Sequence, residues 1–494
     1  MRSTFATLET ARRALYAQQA ALQTTAHNIA NANTPGYSRQ RVNLTTTAPY
    51  PAPGLHNGVS PGQIGTGVQA ETVQRVRRDF LDVQYRQENT KYGYWQTRSE
   101  ALSKMENILN EPSENGLSKA FDRFWQSLQD LANNPENDGA RSVVRQRGMA
   151  LANTFHYLSN SLSQIRADLQ KQIDVTVKQV NSLARQINSL NQQISQIEPH
   201  GYLANDLYDK RDLLVDQLSE LVTVKVTSVG SGGESLAIAE GRYTIDIVDA
   251  QGNTYTLVNG RTLNFSELSV SYNGTDGAAQ YDIGGISVKD SISGKLQGLK
   301  DSYNEVYPDM LRDLDVLAHD FAVAFNSIHE QGYGLDGNSG YQFFQLPVDA
   351  NGKPKVGGAA KNITVSGDVD KLDHIAASAD GTAGDNGNAL KLADVITGSV
   401  NLNPNLDITV KNFKDYYEGV IGGMAVDAQE AERLADNSLT LKQSAQKRRE
   451  SVSGVSLDEE MTHIIQFQHA YNAAARMVTV VDEMLNRIIN RMGI

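Results

Sequence analysis

The sequence contains no cysteine, which excludes disulfides, thiolate metal sites and cysteine nucleophiles. It also has no run of roughly 18 uncharged apolar residues, so we expect no membrane-spanning helix. The formal charge is −12 and the basic residues form no cluster, which argues against a nucleic-acid-binding protein. At 494 residues, of which 40% are hydrophobic, the chain can bury sizeable cores and is expected to form several domains of roughly 150 residues each.

The N-terminus lacks the apolar block of a secretory signal peptide and carries Glu9, Arg12 and Arg13 instead. This absence predicts a cytosolic protein, unless the chain is exported by a route that needs no cleaved signal. The missing cysteines do not decide between these compartments, because a chain without thiols is indifferent to redox conditions.

Motifs for metal binding and catalysis are missing as well. No HExxH occurs among the nine histidines, and the spacing of His463 and His469 places them on different faces of a helix. Asp336–Gly340 begins like a calcium loop, but Pro347 stands where the bidentate glutamate belongs, so we expect a glycine-rich turn. Gly230–Gly233 lacks the lysine and the helix of a phosphate loop. The sequence therefore predicts no catalytic, metal or cofactor site, and a protein that is not an enzyme.

What the sequence does contain is a pair of matched amphipathic helices at its two ends. Between 456 and 494, apolar residues recur at spacings of three and four, which is the pattern of a coiled-coil seam. These residues are Ile464, Phe467, Tyr471, Ala474, Val478, Val481, Leu485, Ile488 and Met492. Between 1 and 31 the heptad residues are Met1, Leu8, Leu15, Leu22 and Ile29. A helix with one apolar stripe needs a partner, either the other terminus or another copy of the protein.

The body between these helices is predicted to be mostly helical from 68 to 222. It is preceded by residues 46–67, whose many prolines and glycines predict an extended linker. Residues 149–197 contain neither residue type and predict a helix ~75 Å long, too long for one compact domain. A second apolar stripe at 296–328 predicts a helix that can pack along the first, and we expect Pro308 to kink or divide this second helix. The molecule is therefore expected to be a rod.

Two insertions interrupt the helical pattern. Residues 223–293 alternate apolar and polar residues, and Asn259-Gly260 suits a type I′ hairpin turn, which predicts a small antiparallel β domain. Its predicted strands are 223–226, 242–248, 254–258, 268–272 and 281–288. Residues 331–410 are rich in glycine and aspartate, with weak strand signals at 363–365 and 408–410, and predict a second β-rich or irregular insertion.

The expected fold is an α+β multidomain rod, with a terminal α-helical coiled coil, a body of long helices and β-rich inserted domains. Four domains are predicted: a terminal helical domain (1–35 and 456–494), a helical rod domain (36–222, 294–330 and 411–455), the first insertion (223–293) and the second insertion (331–410).

The segment after the first helix carries a recognisable signature. Residues 28–37, Asn-Ile-Ala-Asn-Ala-Asn-Thr-Pro-Gly-Tyr, resemble the N-I-A-N-x-N-T-x-G-[YF] pattern of the flagellar rod and hook family of axial proteins. Residues 466–494 resemble the C-terminal helix of the same family. Tyr37-Ser38-Arg39-Gln40 is similar to the hook-associated members rather than to the hook protein, and the chain length favours the longer of these over the shorter FlgL. The signature residues are Asn28, Asn31, Asn33, Pro35, Gly36, Tyr37, Arg39 and Gln40.

The resemblance continues through the body. The D-x-R-D-x-L segment formed by Asp209, Arg211, Asp212 and Leu214 also looks like this family. Nearly the whole chain is covered, except 228–292 and 350–410, which fall within the two predicted insertions.

This resemblance implies a structural function: self-assembly through the terminal helices into the junction between the hook and the filament of the bacterial flagellum. The implied partners are further copies in a ring or tube, the hook protein FlgE, FlgL and the export chaperone FlgN, with no nucleic acid and no membrane insertion. It also implies an extracellular location, reached through the flagellar type III channel without a cleavable signal. The expected assembly interface comprises Leu8, Leu15, Leu22, Ile29, Ile464, Phe467, Tyr471, Val478, Val481, Leu485 and Ile488.

Within the signature, we expect Asn28, Asn31 and Asn33 to satisfy backbone groups where the first helix ends, and Pro35-Gly36 to turn the chain outward. A simple helix stop is the alternative. Two other functions stay open: another flagellar axial protein, from the hook or the distal rod, and a secreted adhesin or enzyme carried by 331–410.

Overall fold

The computed structural model describes residues 4–50, 65–273, 277–289, 291–398 and 412–491. The helices are α1 (Thr4–Ala30), α2 (Asp79–Leu109), α3 (Leu117–Asn133), α4 (Asp138–Ile197), α5 (Asn205–Leu221), α6 (Gly294–Asp301), α7 (Tyr307–His329), α8 (Ala359–Asn362), α9 (Gly387–Thr397), α10 (Phe413–Ser453) and α11 (Leu457–Arg491). The strands are β1 (Gln40–Thr46), β2 (Val68–Arg75), β3 (Val224–Val229), β4 (Arg242–Val248), β5 (Thr254–Asn259), β6 (Asn264–Phe265), β7 (Leu268–Tyr272), β8 (Ala279–Ile283), β9 (Ile286–Ser287), β10 (Phe344–Gln345) and β11 (Thr364–Val365). The expected α+β class, with long helices and β-rich insertions, is confirmed.

The two terminal helices pack against each other. Asn28, near the end of α1, contacts Glu460, near the beginning of α11, so the helices run antiparallel. α1 also contacts β1 and β2, and the side chains that it buries are small, which lets it approach its neighbours closely. These side chains include Ala11, Ala17, Ala21 and Thr25.

A β-hairpin flanks the predicted linker. β1 and β2 pair antiparallel, from Gln40 opposite Arg75 to Thr46 opposite Val68. The helical prediction for 68–222 is therefore wrong for residues 68–75. The alternation of β2 is weak, and its pairing with β1 and contacts with α1 decide its conformation. Most of the predicted linker, 51–64, lies outside the described residues.

The longest helix, α4, forms the axis of the body. It has 60 residues and is therefore ~90 Å long. It begins earlier than the predicted start at 149, because Asn137 caps its first turn and Gly148 lies inside it. Glycine is favoured at this point of the helix, because a Cβ on residue 148 would lie only 2.7 Å from the Phe343 ring.

The helical stripe predicted at 296–328 forms α6 and α7, joined by a π-helical segment, Ser302–Val306. Pro308 lies in the first turn of α7, directly after the π segment, and has no N–H to donate to a carbonyl of the preceding turn. The helix is therefore divided next to Pro308, as expected, and the π segment is the point of division.

The main core lies where α3, α4 and α7 meet the second insertion. Its centre is a cluster of fully buried phenylalanines: Phe121, Phe124, Phe155, Phe321, Phe325, Phe343, Phe344 and Phe413. Many ring pairs are edge to face, as in Phe121 and Phe321, whose centroids are 5.0 Å apart at 89°. The second insertion is thus continuous with the core of the body.

Between 224 and 287, the described residues form two antiparallel sheets, β3-β4-β5-β6 and β7-β8-β9. The run predicted at 281–288 is divided between β8 and β9, because Gly284 and Gly285 turn the chain with φ of 57° and 82°. Asn259-Gly260 does not form the predicted two-residue turn, since β6 begins only at Asn264. The Asn259 side chain instead accepts bonds from the amides of the following loop.

The described part of the second insertion, 331–398, is largely irregular, with one two-stranded pair, β10-β11, and the helices α8 and α9. The predicted strand at 363–365 corresponds to β11, and the one at 408–410 lies outside the described residues. None of the helices in the described ranges is long and apolar enough to cross a membrane.

Candidate assembly junction at the base of the terminal helices

Both connections between the terminal helices and the body pass through one region, which we call the junction. It comprises residues 28–40, residues 75–77, α5 and residues 449–460. The Arg39 amide donates to the Ser453 carbonyl (2.8 Å), and the Val76 amide donates to the Arg39 carbonyl (2.8 Å). The backbone of one signature residue thus joins three distant segments of the chain.

Asn28 is the centre of this region and is 1% exposed. Its side-chain nitrogen donates to the Gln40 carbonyl (2.9 Å) and to Glu460 Oε2 (3.0 Å). Its side-chain oxygen accepts from the Gln40 amide (2.9 Å) and the Tyr37 hydroxyl (2.8 Å). These four bonds use the full capacity of a carboxamide. Asn28 therefore bonds the hairpin and α11, and not the carbonyls at the end of its own helix.

The signature turns the chain sharply after α1. The Tyr37 amide donates to the Thr34 carbonyl (3.1 Å), which closes a turn with Pro35 and Gly36 at its centre. Gly36 has a φ of 80°, and a glycine with positive φ after proline is the pattern of a type II turn. A Cβ at Gly36 would lie 3.1 Å from the Cβ of Leu213, so glycine also lets the turn lie against α5.

The other two signature asparagines differ in their surroundings. Asn31 donates to the His27 carbonyl at the end of α1 (3.0 Å) and accepts from the Thr34 hydroxyl (3.1 Å). Asn33 is exposed and borders a cleft of about 820 Å³ between the turn, α2, α5 and the end of α10.

Tyr37, Arg39 and Gln40 connect the signature to α5 and α11. Burial and then the nearby carboxylates raise the pKa of Tyr37, so its hydroxyl stays protonated and donates to Asn28. Arg39 pairs with Glu459 (2.7 Å), and Gln40 Nε2 donates to Asp206 (3.1 Å).

Beneath the signature, α5 carries a stripe of buried acidic side chains. Asp209, Asp212 and Asp216 are 6%, 2% and 6% exposed. Arg75 of β2 donates to Asp209 (2.6 Å) and Asp212 (2.9 Å). Arg86 of α2 donates to Asp212 (3.1 Å) and Asp216 (2.8 Å). Paired charges therefore join α5 to both the hairpin and α2.

Arg449 brings α10 into the same network. It pairs with Asp216 and lies 3.5 Å from Asp82 Oδ1, and its guanidinium stacks over the Tyr85 ring at 4.1 Å. Arg77 in turn donates to both oxygens of Asp82 (2.7 and 2.8 Å). α2, α5 and α10 are thus connected beside the break that leads into α11.

The charges in this network balance. Its arginines are Arg75, Arg77, Arg86, Arg211 and Arg449, and its carboxylates are Asp82, Asp209, Asp212, Asp216 and Glu240. Burial would raise the pKa of Asp212, but the surrounding arginines, Arg77 first, hold it far below its ordinary value. Asp212 is therefore ionised at neutral pH.

Asp209, Arg211 and Asp212 are predicted from the family resemblance alone. Asp216, the partner arginines outside α5 and Glu460 are not singled out by it. A signal was present, because acidic residues recur at spacings of three and four along α5, where an amphipathic helix would place apolar ones.

The residues predicted for the assembly interface are partly covered by the α1–α11 pair. On α1, Leu8, Leu15, Leu22 and Ile29 are half-buried. On α11, Val481 is buried, the side chains of Ile464, Phe467, Val478 and Leu485 are half-buried, and Tyr471 and Ile488 are exposed. Further apolar residues of α11 are also exposed: Leu457, Met461, Ile465, Met477, Val480, Met484 and Ile489. One pairing with α1 therefore leaves an apolar surface along α11.

The calcium-like segment forms a closed turn. Asp336 accepts from the Asn338 amide (3.1 Å), the Asn338 side chain (2.9 Å) and the Tyr341 hydroxyl (2.7 Å). Its carboxylate is therefore occupied within the turn. Among the described residues, no group of three or more His, Asp or Glu side chains is arranged to hold a metal ion.

Comparison with known proteins identifies the family of this chain. Residues 8–37 match the model of the flagella basal body rod protein family, and residues 448–492 match the C-terminal model of the flagellar basal body rod proteins FlgEFG. Residues 102–344 match the helical-domain model of the flagellar hook-associated protein FlgK. Flagellar hook-associated protein 1 of Bacillus subtilis is 47% identical over 509 aligned positions, which cover 100% of this chain and 99% of the relative. The chain belongs to the flagellar hook-associated protein 1 family.

Other members of the hook-associated protein 1 family are more distant. The protein of Salmonella typhimurium is 27% identical, with 96% of this chain and 98% of the relative covered. The structure of the flagellar hook junction protein FlgK from Burkholderia pseudomallei superposes with a TM-score of 0.62 at 16% identity, over 76% of this chain and 100% of that one. That likeness supports the fold. The family resemblance inferred from residues 28–40 is confirmed.

Proposed function

We propose that this chain is a structural component of the bacterial flagellum that forms the junction between hook and filament by self-assembly through its terminal helices. The relatives are named flagellar hook-associated proteins, and the solved structure is described as a hook junction protein. The observation that carries the proposal is the apolar surface of α11, which stays exposed after pairing with α1. An exposed apolar stripe on a helix favours packing against further helices.

The proposed interface has two parts. Half-buried residues hold α1 and α11 together and leave part of each side chain available to a neighbouring copy. The residues of this part are Leu8, Leu15, Leu22, Ile29, Ile464, Phe467, Val478 and Leu485, with Val481 buried among them. The exposed residues, Tyr471 and Ile488 among those predicted from the sequence, contact the neighbouring copy alone.

The junction gives this assembly a firm base. Terminal helices that pack into a tube transmit their position to the body only if the connection between the helices and the body is stiff. Asn28 and the paired charges around Asp212 and Asp216 supply that stiffness, because each links several chain segments through buried hydrogen bonds. The signature residues are thus proposed to fix the angle at which the body leaves the tube.

Family membership supports the proposed partners and location. The chain would assemble with further copies in a ring or tube, next to the hook protein FlgE on one side and FlgL on the other. The export chaperone FlgN would hold it before export. The protein would reach its extracellular position through the flagellar type III channel, without a cleavable signal peptide.

Addition of the purified chain to isolated hooks tests the proposal. Leu485→Asp or Ile488→Asp places a charge on the proposed interface and is expected to abolish addition to the hook tip. Asn472→Asp introduces a charge at an exposed polar position of the same helix and is the matched control. In all three variants the body should unfold at the same temperature as in the unchanged chain. Addition of Ile488→Asp at the level of the unchanged chain would refute the proposed interface.

The order of addition separates this function from its nearest alternative. A junction protein adds to completed hooks and then accepts FlgL, whereas a hook or distal rod protein does not. If the hooks fail to accept FlgL after addition of the chain, the assignment to the junction is wrong, even though the terminal helices assemble.

A further inference from the structure

Within the part of the chain that the structure describes, asparagines on helical segments contact strands in the same way at five places. In each pair, one carboxamide engages both backbone groups of a single residue: its oxygen accepts from the amide, and its nitrogen donates to the carbonyl. The pairs are Asn28 with Gln40, Asn191 with Tyr243, Asn181 with Leu268, Asn304 with Ala279, and Asn326 with Phe344. The ten distances lie between 2.6 and 3.2 Å.

A carboxamide in this position replaces the peptide group of a neighbouring strand. Four of the paired residues begin a strand, namely Gln40, Leu268, Ala279 and Phe344, while Tyr243 is the second residue of β4. Without the asparagine, the amide and carbonyl facing the helix would be left without these partners. The pairing is directional, because the donor and the acceptor cannot exchange places.

Three of these pairs hold the first β domain. Asn181 and Asn191 lie on α4, ~15 Å apart along its axis. Asn181 contacts Leu268 (2.7 and 2.8 Å) in the β7-β8-β9 sheet, and Asn191 contacts Tyr243 (2.8 and 3.0 Å) in the other sheet. Asn304 reaches β8 from a different helical segment. Three attachment points on two helical segments fix both the position and the orientation of a rigid body.

The π segment places the third attachment point. The Tyr307 amide donates to the Ser302 carbonyl, five residues earlier, so the segment contains one more residue than the α-helical turn it replaces. The Tyr303 carbonyl accepts a hydrogen bond from a side chain of α4, Arg166 Nε (3.1 Å). The Arg166 guanidinium also stacks over the Tyr303 ring at 4.6 Å. Asn304 follows directly and faces β8.

We propose that Asn181, Asn191 and Asn304 are positioning residues that set the orientation of the β domain on the helical body. The apolar contacts between the domain and α4 are non-directional, so they allow the domain to slide or tilt. The three bidentate pairs remove that freedom, and single hydrogen bonds between the domain and α4, from Asn188 to the Leu263 carbonyl and from the Tyr272 hydroxyl to Asp174, act in the same direction. The β domain is thus held at a defined angle to the rod, independently of whether the chain assembles.

The absence of cysteine makes this testable by distance measurement, because two introduced cysteines are the only ones in the chain. Spin labels at Lys171→Cys on α4 and Gln251→Cys on the β4–β5 loop, both exposed, report the angle by double electron–electron resonance. Asn181→Asp and Asn304→Asp keep the size of the side chain but set a carboxylate oxygen against the strand carbonyl. Each is expected to widen the distance distribution at least twofold. Asn160→Asp, at an exposed position on α4, is the matched control and should leave it unchanged.

Amide hydrogen exchange on the same variants separates orientation from folding. If the asparagines set only the orientation of the domain, residues 224–287 stay protected from exchange in the variants while the distance distribution widens. Where the aspartate variants lose that protection, Asn304→Ala removes both bonds without adding charge and is measured in their place. An unchanged distribution would overturn the proposal. So would loss of protection in the alanine variant as well, since the asparagines would then hold the fold of the domain rather than its orientation.

Discussion

Asn28 donates a 3.0 Å hydrogen bond to the carboxylate of Glu460 across 432 positions of sequence. Glu460 is 3% exposed, and a buried carboxylate is stable only when it is hydrogen-bonded. Since the other bonds of Asn28 go to Gln40 and Tyr37, one side chain ties α1, the hairpin and α11 together. The bond explains how a helix-ending signature at one terminus is held against the helix at the other.

Replacement of Asn28 by alanine is expected to loosen both terminal helices. The change leaves the Gln40 amide and carbonyl and the Glu460 carboxylate without this partner, and each such buried group costs about 1–3 kcal/mol. Limited proteolysis should release fragments from both ends sooner than in the unchanged chain.

Glu460→Gln is the informative companion to this variant, because a glutamine oxygen can still accept from Asn28. It should be cleaved at nearly the same rate as the unchanged chain, while Glu460→Ala resembles Asn28→Ala. Equal resistance of Asn28→Ala and the unchanged chain would contradict the role assigned to the bond.

Asp212→Asn is expected to destabilise the body by about 3–5 kcal/mol, because it removes the charge that Arg75, Arg77 and Arg86 share in a buried site. Urea denaturation checks this value. Asp168→Asn, which breaks an exposed pair with Lys171, is the matched control and should change stability by about 0–1 kcal/mol.

The same aspartate gives a pH dependence with a defined sign. The arginines hold the folded pKa of Asp212 below the ordinary value of 3.8. Its contribution to stability is therefore fully present above pH 3.8 and is lost as the pH falls from there through the folded pKa. The unchanged chain should lose more stability on acidification below this pH than Asp212→Asn does, and parallel curves would contradict the assignment.

The sequence predicts best what local periodicity determines. The stripe around Val481 and the heptad of Leu15 predict the terminal helices, and apolar alternation predicts β4 and β7 at their observed bounds. The helix at Gly148 and the strand β2 are not predicted, because each depends on a contact with a distant segment. The glycine contacts Phe343, and the strand contacts β1 and α1. Propensity cannot anticipate such contacts.

The junction was predictable only in part for the same reason. The family pattern identifies Asn28 and Gln40 as important, but their bond to each other and to Glu460 depends on the antiparallel packing of α1 and α11. Likewise, nothing local in the sequence indicates that Arg449 pairs with Asp216, 233 positions away. The sequence alone predicts that a polar side chain on a helix is exposed, because its buried partner is not known.

His329 provides a second pH-dependent contact, between α7 and the second insertion. Its Nδ1 donates to the Tyr341 carbonyl (2.7 Å), and its Nε2 accepts from the Ala376 amide (3.1 Å), so the ring is neutral. Burial lowers the pKa of His329 from 6.5 to about 4; the hydrogen bond to the Tyr341 carbonyl and then Asp368 oppose this, while Arg141 adds to it.

Because the folded pKa lies below the unfolded one, stability should fall as the pH drops from 6.5 to about 4, by about 3 kcal/mol in all. Urea denaturation across this range measures the slope. His329→Phe has no group to titrate, so it should start from a lower stability and lose about 3 kcal/mol less over the same range. Equal slopes in the two proteins would show that His329 is not the titrating group.

Gly148→Ala and Gly423→Ala make the same chemical change in two long helices and are expected to have opposite effects. In both cases alanine gains about 1 kcal/mol of helix propensity over glycine. At Gly423 in α10 an added Cβ meets nothing within 4 Å, so the gain should appear as higher stability. At Gly148 the Cβ would lie 2.7 Å from Phe343 Cε1 in the packed phenylalanine cluster, and such overpacking costs about 1–3 kcal/mol. Thermal unfolding should therefore move up for Gly423→Ala and down for Gly148→Ala, and a stabilised Gly148→Ala would show that the cluster has room for a methyl group.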